Sequence, residues 1–102
     1  NVAAVSCMKD DYKNLAPIWR SLQNKNPELL LMIGDNSYTD LKIAGLVMPM
    51  SETRLWDRHM ETRNKLPFFR WQNLVPVFST WDDHDYGMSD GDRTFRLVNK
   101  RH

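Results

Sequence analysis

The stretch Trp81-Asp82-Asp83-His84-Asp85-Tyr86-Gly87 places three carboxylates and an imidazole directly after an apolar run, Val75-Pro76-Val77-Phe78-Ser79. Crowding ionisable groups beside a buried strand costs on the order of several kcal/mol per group unless they pair or bind a cation. Carboxylates this close protonate rather than share a site, and a metal ion removes the conflict. Histidine is a common metal ligand and general acid, and a flanking carboxylate can fix its tautomer. The plainer alternative, an exposed acidic turn capping a helix, accounts poorly for Trp81 and the strand alongside. A calcium-binding EF-hand is excluded, because a loop begun at Asp83 lacks Gly at its sixth position and Glu at its twelfth.

A second acidic cluster follows another apolar run, Leu29-Leu30-Leu31-Met32-Ile33, in Gly34-Asp35-Asn36-Ser37-Tyr38-Thr39-Asp40. Gly34 permits a tight exit from the strand, which presents Asp35 at the sheet edge. Tyr38 is near enough in a turn to address the same ion, and a phenolate suits a hard trivalent metal. An Asx-turn leading into a helix cap, with Tyr38 as a packed aromatic, is the competing reading. Cys7 is the only cysteine, so no intramolecular disulfide can form. A lone cysteine is ordinarily a small buried hydrophobe. Here it falls where the first strand ends, and a thiolate at that edge could bind a metal. His59 and His102 are assigned no site role. A thiol pair of Cys7 with His84 has no supporting motif, and no Gly-x-Ser-x-Gly elbow is present.

The elements that must position these groups read in the order β-α-β-α-β. Val2 to Ser6 form a short apolar strand. Leu15, Ile18, Trp19 and Leu22 recur at the spacing of one helical face, with Asn14 as N-cap and Asn24-Lys25-Asn26-Pro27 as the stop. Residues 29–33, uniformly apolar, predict a strand covered on both faces of a parallel sheet. Leu41 to Met50 is apolar but aperiodic and reads as a packed loop or short helix near the site. Ser51 and Glu52 suit the start of a helix carrying Leu55, Trp56, His59, Met60 and Arg63, which Pro67 ends or kinks. Phe68-Phe69-Arg70-Trp71 with Leu74 reads as an apolar segment on the sheet, and Val75 to Thr80 as the third strand. Strands joined by helical crossovers are parallel and right-handed, so all three deliver their trailing residues to one edge.

The bulk properties leave this reading room. The chain has 102 residues, 41% hydrophobic and 26% charged, as in one globular domain or part of one. With a formal net charge of +1 and scattered Lys and Arg, nothing in the bulk electrostatics points to nucleic acid or an anionic membrane, and no nucleic-acid-binding module is expected. No apolar run approaches the roughly 18 residues of a transmembrane segment. No signal segment is visible, and the abrupt opening on Asn1-Val2-Ala3 and the end on Lys100-Arg101-His102, after a helix-like pattern begins, read as those of a fragment.

With Ser6-Cys7 after the first strand, Gly34-Asp35-x-x-Tyr38-x-Asp40 after the second and Trp81-Asp82-Asp83-His84-Asp85-Tyr86-Gly87 after the third, the chain resembles the alkaline phosphatase D (PhoD-like) branch of the calcineurin-like metallophosphoesterases. Arg63-Asn64 and Asp90-Gly91-Asp92-Arg93 sit in a familiar context, while Ser89 stands where the family often has Asn. The resemblance implies a partial metallophosphoesterase fold: α/β, β-α-β-α-β with parallel strands, half of a larger α/β sandwich. Residues 1–102 would be the N-terminal fragment of the catalytic domain, with further ligands supplied beyond residue 102.

By the same resemblance Asp35 bridges two metals, Cys7 and Tyr38 complete the side that binds iron(III), and Asp83 binds a divalent ion, calcium in this branch. His84 touches the phosphate and protonates the leaving oxygen, and Asp85 orients its ring. The implied activity is hydrolysis of small phosphomonoesters or phosphodiesters by a hydroxide activated between two metals. Periplasmic or secreted localisation is the habit of that branch. A non-catalytic α/β module, or a truncated fragment, binding a structural cation remains the alternative at this point.

Overall fold

The computed structural model describes residues 1–92 and residue 94. Arg93, His102 and the helix-like pattern that ends the chain lie outside the described residues. The fold is α/β around a parallel three-stranded sheet of β1 (Val2–Val5), β2 (Leu29–Ile33) and β5 (Val77–Thr80), in the order β1-β2-β5. Val2 pairs with Leu29 and Leu30 with Val77, so all three strands end at the same edge.

β2 owes its apolar run to its central place, yet among the described residues only one of its faces is closed. Leu30 and Met32 are buried, whereas Ile33 is 53% exposed. The expectation of a strand covered on both faces is therefore corrected, because packing elements cover one side of the sheet. On that side Leu30 and Met32 meet Met8, Trp19, Leu66 and Phe68, with Leu15, Leu22, Phe69 and Trp71 around them. The aromatic rings interlock, Trp19 to Phe68 at 5.8 Å between centroids and Phe68 to Trp71 at 5.0 Å edge to face. The sequence predicts a buried β5, whereas the strand is exposed along its length because none of its residues packs against the core cluster.

α1 (Leu15–Asn24) buries Trp19 as its periodicity predicts. Asn14 holds the N-cap position without a side-chain cap bond, and Ile18 turns outward at 53% exposure. α2 (Glu52–Lys65) begins with Ser51 accepting a hydrogen bond from the Arg54 N–H at 3.3 Å. Glu52 in its first turn and Arg63 and Lys65 in its last match the helix dipole. It stops at Leu66, whose extended ψ of 121° is the conformation favoured before a proline, and Pro67 then opens a 3-10 turn, Pro67–Arg70.

One element departs from expectation in kind. Residues 41–50 do not form a loop or helix: β3 (Asp40–Ile43) and β4 (Leu46–Pro49) pair as an antiparallel hairpin. Ala44 and Gly45 make the two-residue connection with φ of 50° and 82°, the left-handed pair that suits the twist of a hairpin. The order is thus β-α-β-β-β-α-β-α, closing with a short α3 (Asp83–Tyr86). Among the described residues no helix is long and apolar enough to cross a membrane.

Candidate metal centre

Three loops meet where β1, β2 and β5 end. The first two are sewn together by backbone: Cys7 N–H donates to the Gly34 carbonyl at 3.2 Å and Met8 N–H to that of Asp35 at 2.9 Å. Cys7 and Asp35 both adopt left-handed backbone, φ 55° and 51°, which non-glycine residues hold only when their surroundings impose it. Gly34 has φ 106°, and a Cβ there would stand 2.8 Å from Asp82 Cβ. Its bare backbone is what lets the third loop lie against the second.

The third loop is built by capping. Asp82 is the N-cap of α3, accepting from Asp83 N–H at 2.9 Å, while Asp85 reaches back to the Asp82 N–H at 3.2 Å. The result turns Asp83 and His84 toward Asp35, and one ligating atom from each of the three lies within 4.8 Å of the others. Cys7 Sγ is 3.6 Å from Asp35 Oδ2 and the cysteine is exposed rather than sealed in the core. Tyr38 stacks on the His84 ring at 4.4 Å between centroids. Of the residues expected to bind metal, Asp35 and Asp83 thus meet directly, with Cys7 and Tyr38 at their border.

Burial and mutual repulsion act unequally on the acidic groups of the site. Asp35 is 9% exposed, and its Oδ1 is buried with no hydrogen-bond partner among the described residues. Burial pushes its carboxyl above the usual range, with repulsion from Asp83 and Asp82 adding to the effect and His84 and Cys7 opposing it. Burial, followed by the neighbouring Asp35 and Cys7, raises the Tyr38 phenol to about 12. Asp83 moves the other way, held low chiefly by the backbone N–H of Asp90, which donates to its Oδ2. A thiol, a phenol, two carboxylates and an imidazole around an orphaned buried oxygen form a donor set that fits metal ions.

Asp85 does not orient His84. Its buried carboxylate instead accepts from Ser37 N–H at 2.7 Å and Asn36 Nδ2 at 3.3 Å, as well as from Asp82 N–H, so it fastens the second loop to the third. The partner of His84 is Asp40, whose Oδ1 lies 2.9 Å from Nδ1 and whose side chain is 4% exposed. The main chain of His84 is held as well: its carbonyl accepts from Thr39 N–H at 3.2 Å and Thr39 Oγ1 at 2.5 Å. Asn36 completes the arrangement by donating to the Thr80 carbonyl at 2.7 Å. Asp40 reaches this position as the first residue of the hairpin, an element that the sequence pattern does not announce. Comparisons with family models, with curated proteins and with solved structures find no match to this chain.

Proposed function

We propose that this chain forms the metal-binding part of a phosphoesterase that hydrolyses phosphomonoesters or phosphodiesters. The observation that carries this reading is the convergence of Asp35, Asp83 and His84 within 4.8 Å around a buried carboxylate oxygen that has no partner among the described residues. Asp35, with Cys7 and Tyr38 on one side, would hold iron(III), and Asp83 on the other a divalent ion such as calcium. Hard oxygen donors suit both ions, and the thiolate and phenolate favour the trivalent one. Bound there, the metals would neutralise phosphate charge and acidify water.

The remaining work falls to the chain's own groups. With Nδ1 of His84 donating to Asp40, Nε2 is the nitrogen free to hold a proton for the departing oxygen. General acid catalysis of this kind is worth on the order of 10²–10⁴-fold. Tyr38 against one face of the imidazole and Asp40 at its edge prevent the ring from turning away. Asp85, by joining the Ser37 and Asp82 amides, keeps Asp35 and Asp83 on facing loops.

Metal analysis of the purified protein, paired with turnover of p-nitrophenyl phosphate and its bis ester, tests the reading. Iron with a visible tyrosinate charge-transfer band, and metal-dependent release of nitrophenol, are expected. A protein that binds neither iron nor a divalent ion and cleaves neither ester would end the assignment.

A further inference from the structure

We infer that α2, which contributes none of the candidate ligands, sets the spacing of the metal centre through Arg58 and Thr62. The inference rests on the reading of the centre as a metal site. Arg58 grips Asp10 with both ends of its guanidinium, Nη2 to Oδ1 at 2.6 Å and Nη1 to Oδ2 at 2.7 Å. Asp10 belongs to the loop that carries Cys7. The same Nη1 donates to Thr62 Oγ1 at 2.9 Å, and that hydroxyl lies 2.9 Å from Ser37 Oγ. Ser37 lies between Asp35 and Tyr38 in the chain, and its N–H donates to Asp85 at 2.7 Å.

One helix therefore holds the thiol-bearing loop with one residue and the carboxylate-bearing loop with another, and the two residues are bonded to each other. The connection is sheltered from water: side-chain exposure is 2% for Asp10 and 13% for Arg58, and the residues Thr62 and Ser37 are 2% and 1% exposed. The Thr62 hydroxyl accepts from Arg58 and shares a proton with Ser37 Oγ in one direction or the other, so a single oxygen joins the two loops. Weakening one partner of a buried ion pair leaves the other charge poorly paired, so Arg58 and Asp10 hold α2 and the Cys7 loop together as one unit. Outer partners that orient ligands in this way change metal affinity about 10–100-fold when removed.

The two roles separate in a comparison of Thr62→Val, Arg58→Lys and Arg54→Ala with the wild type. Thr62→Val keeps the shape and deletes the hydroxyl link, so it stays informative even where Arg58→Lys leaves Asp10 too poorly paired to fold. Arg54→Ala breaks the outer pair to Glu61 on the same helix and serves as the control. Each protein is titrated with iron(III) against nitrilotriacetate while the charge-transfer band is followed, and each is unfolded in urea. Thr62→Val and Arg58→Lys are expected to raise the iron Kd about tenfold or more and to shift the band, with Arg54→Ala unchanged. Wild-type Kd and band in both variants, with only their urea midpoints lowered, would make the network purely structural and overturn the inference. A wild type that shows no iron-dependent band removes the metal reading first, and this inference with it.

Discussion

His84 Nδ1 lies 2.9 Å from Asp40 Oδ1, joining the first residue of the hairpin to the first turn of α3 across 44 positions of sequence. The imidazole is thereby fixed by a carboxylate that is itself 96% shielded, its side chain being 4% exposed. In the proposed reaction Asp40 is a positioning residue. Asp40→Asn is expected to lower kcat for p-nitrophenyl phosphate about tenfold or more while KM and iron content stay near wild type. Steady-state kinetics with metal analysis on the same sample measures both. An unchanged kcat would show that the ring needs no anionic partner.

Asp35 gives a prediction in which stability and binding move in opposite directions. Burial raises its carboxyl in the folded chain above the unfolded value. The ionised group therefore opposes folding at neutral pH, and this opposition fades as pH falls through the folded value towards the unfolded one near about 3.9. Asp35→Asn removes it, and asparagine tolerates the left-handed φ of 51°. The metal-free variant is expected to unfold at higher urea than the metal-free wild type, with iron affinity reduced more than about 100-fold. A lower urea midpoint would mean that the Cys7 contact outweighs the cost of burying the charge.

Tyr38 predicts the pH dependence of iron binding. Its phenol, at about 12 in the metal-free protein, keeps its proton throughout the neutral range. Binding as a phenolate must release that proton, so affinity rises with pH, by about tenfold per unit for one proton. Iron titrations from pH 6 to about 8, corrected for the competitor, are expected to show this slope, and Tyr38→Phe to lose both the slope contribution and the charge-transfer band. A pH-independent affinity would place Tyr38 outside the coordination sphere.

The strands and the two acidic loops were legible because their signals are local: apolar runs ended by glycine or by a cap, with acids directly after. Leu29–Ile33 and the loop at Gly34 and Asp35 fall where the pattern puts them. The hairpin is not legible in the sequence because Ala44-Gly45 is a weak turn signal, and its left-handed φ values are visible only in the folded chain. That gap carries through to the site, since Asp40 reaches His84 by opening β3. Asp85 departs from its expected role for a related reason. Adjacency to His84 in sequence favoured a side-chain contact, whereas a capping turn directs the carboxylate back toward amides. The Arg58–Asp10 pair depends on two segments 48 residues apart, and nothing in either segment advertises the other.

Two glycines separate backbone freedom from close packing. Gly45 has φ 82° with nothing within 4 Å of an added Cβ, so Gly45→Ala is expected to cost only the backbone term, about 1 kcal/mol, and to leave iron affinity unchanged. Gly34 has φ 106° and faces Asp82 Cβ at 2.8 Å, so an alanine there meets both the strained backbone and the third loop. Gly34→Ala is expected to cost more than about 1 kcal/mol and to weaken iron binding at least about tenfold by pushing Asp83 away from Asp35. Urea unfolding and iron titration of the two variants side by side supply the comparison. Wild-type iron affinity in a folded Gly34→Ala variant would show that the approach of Asp82 does not set the distance between the two acidic loops.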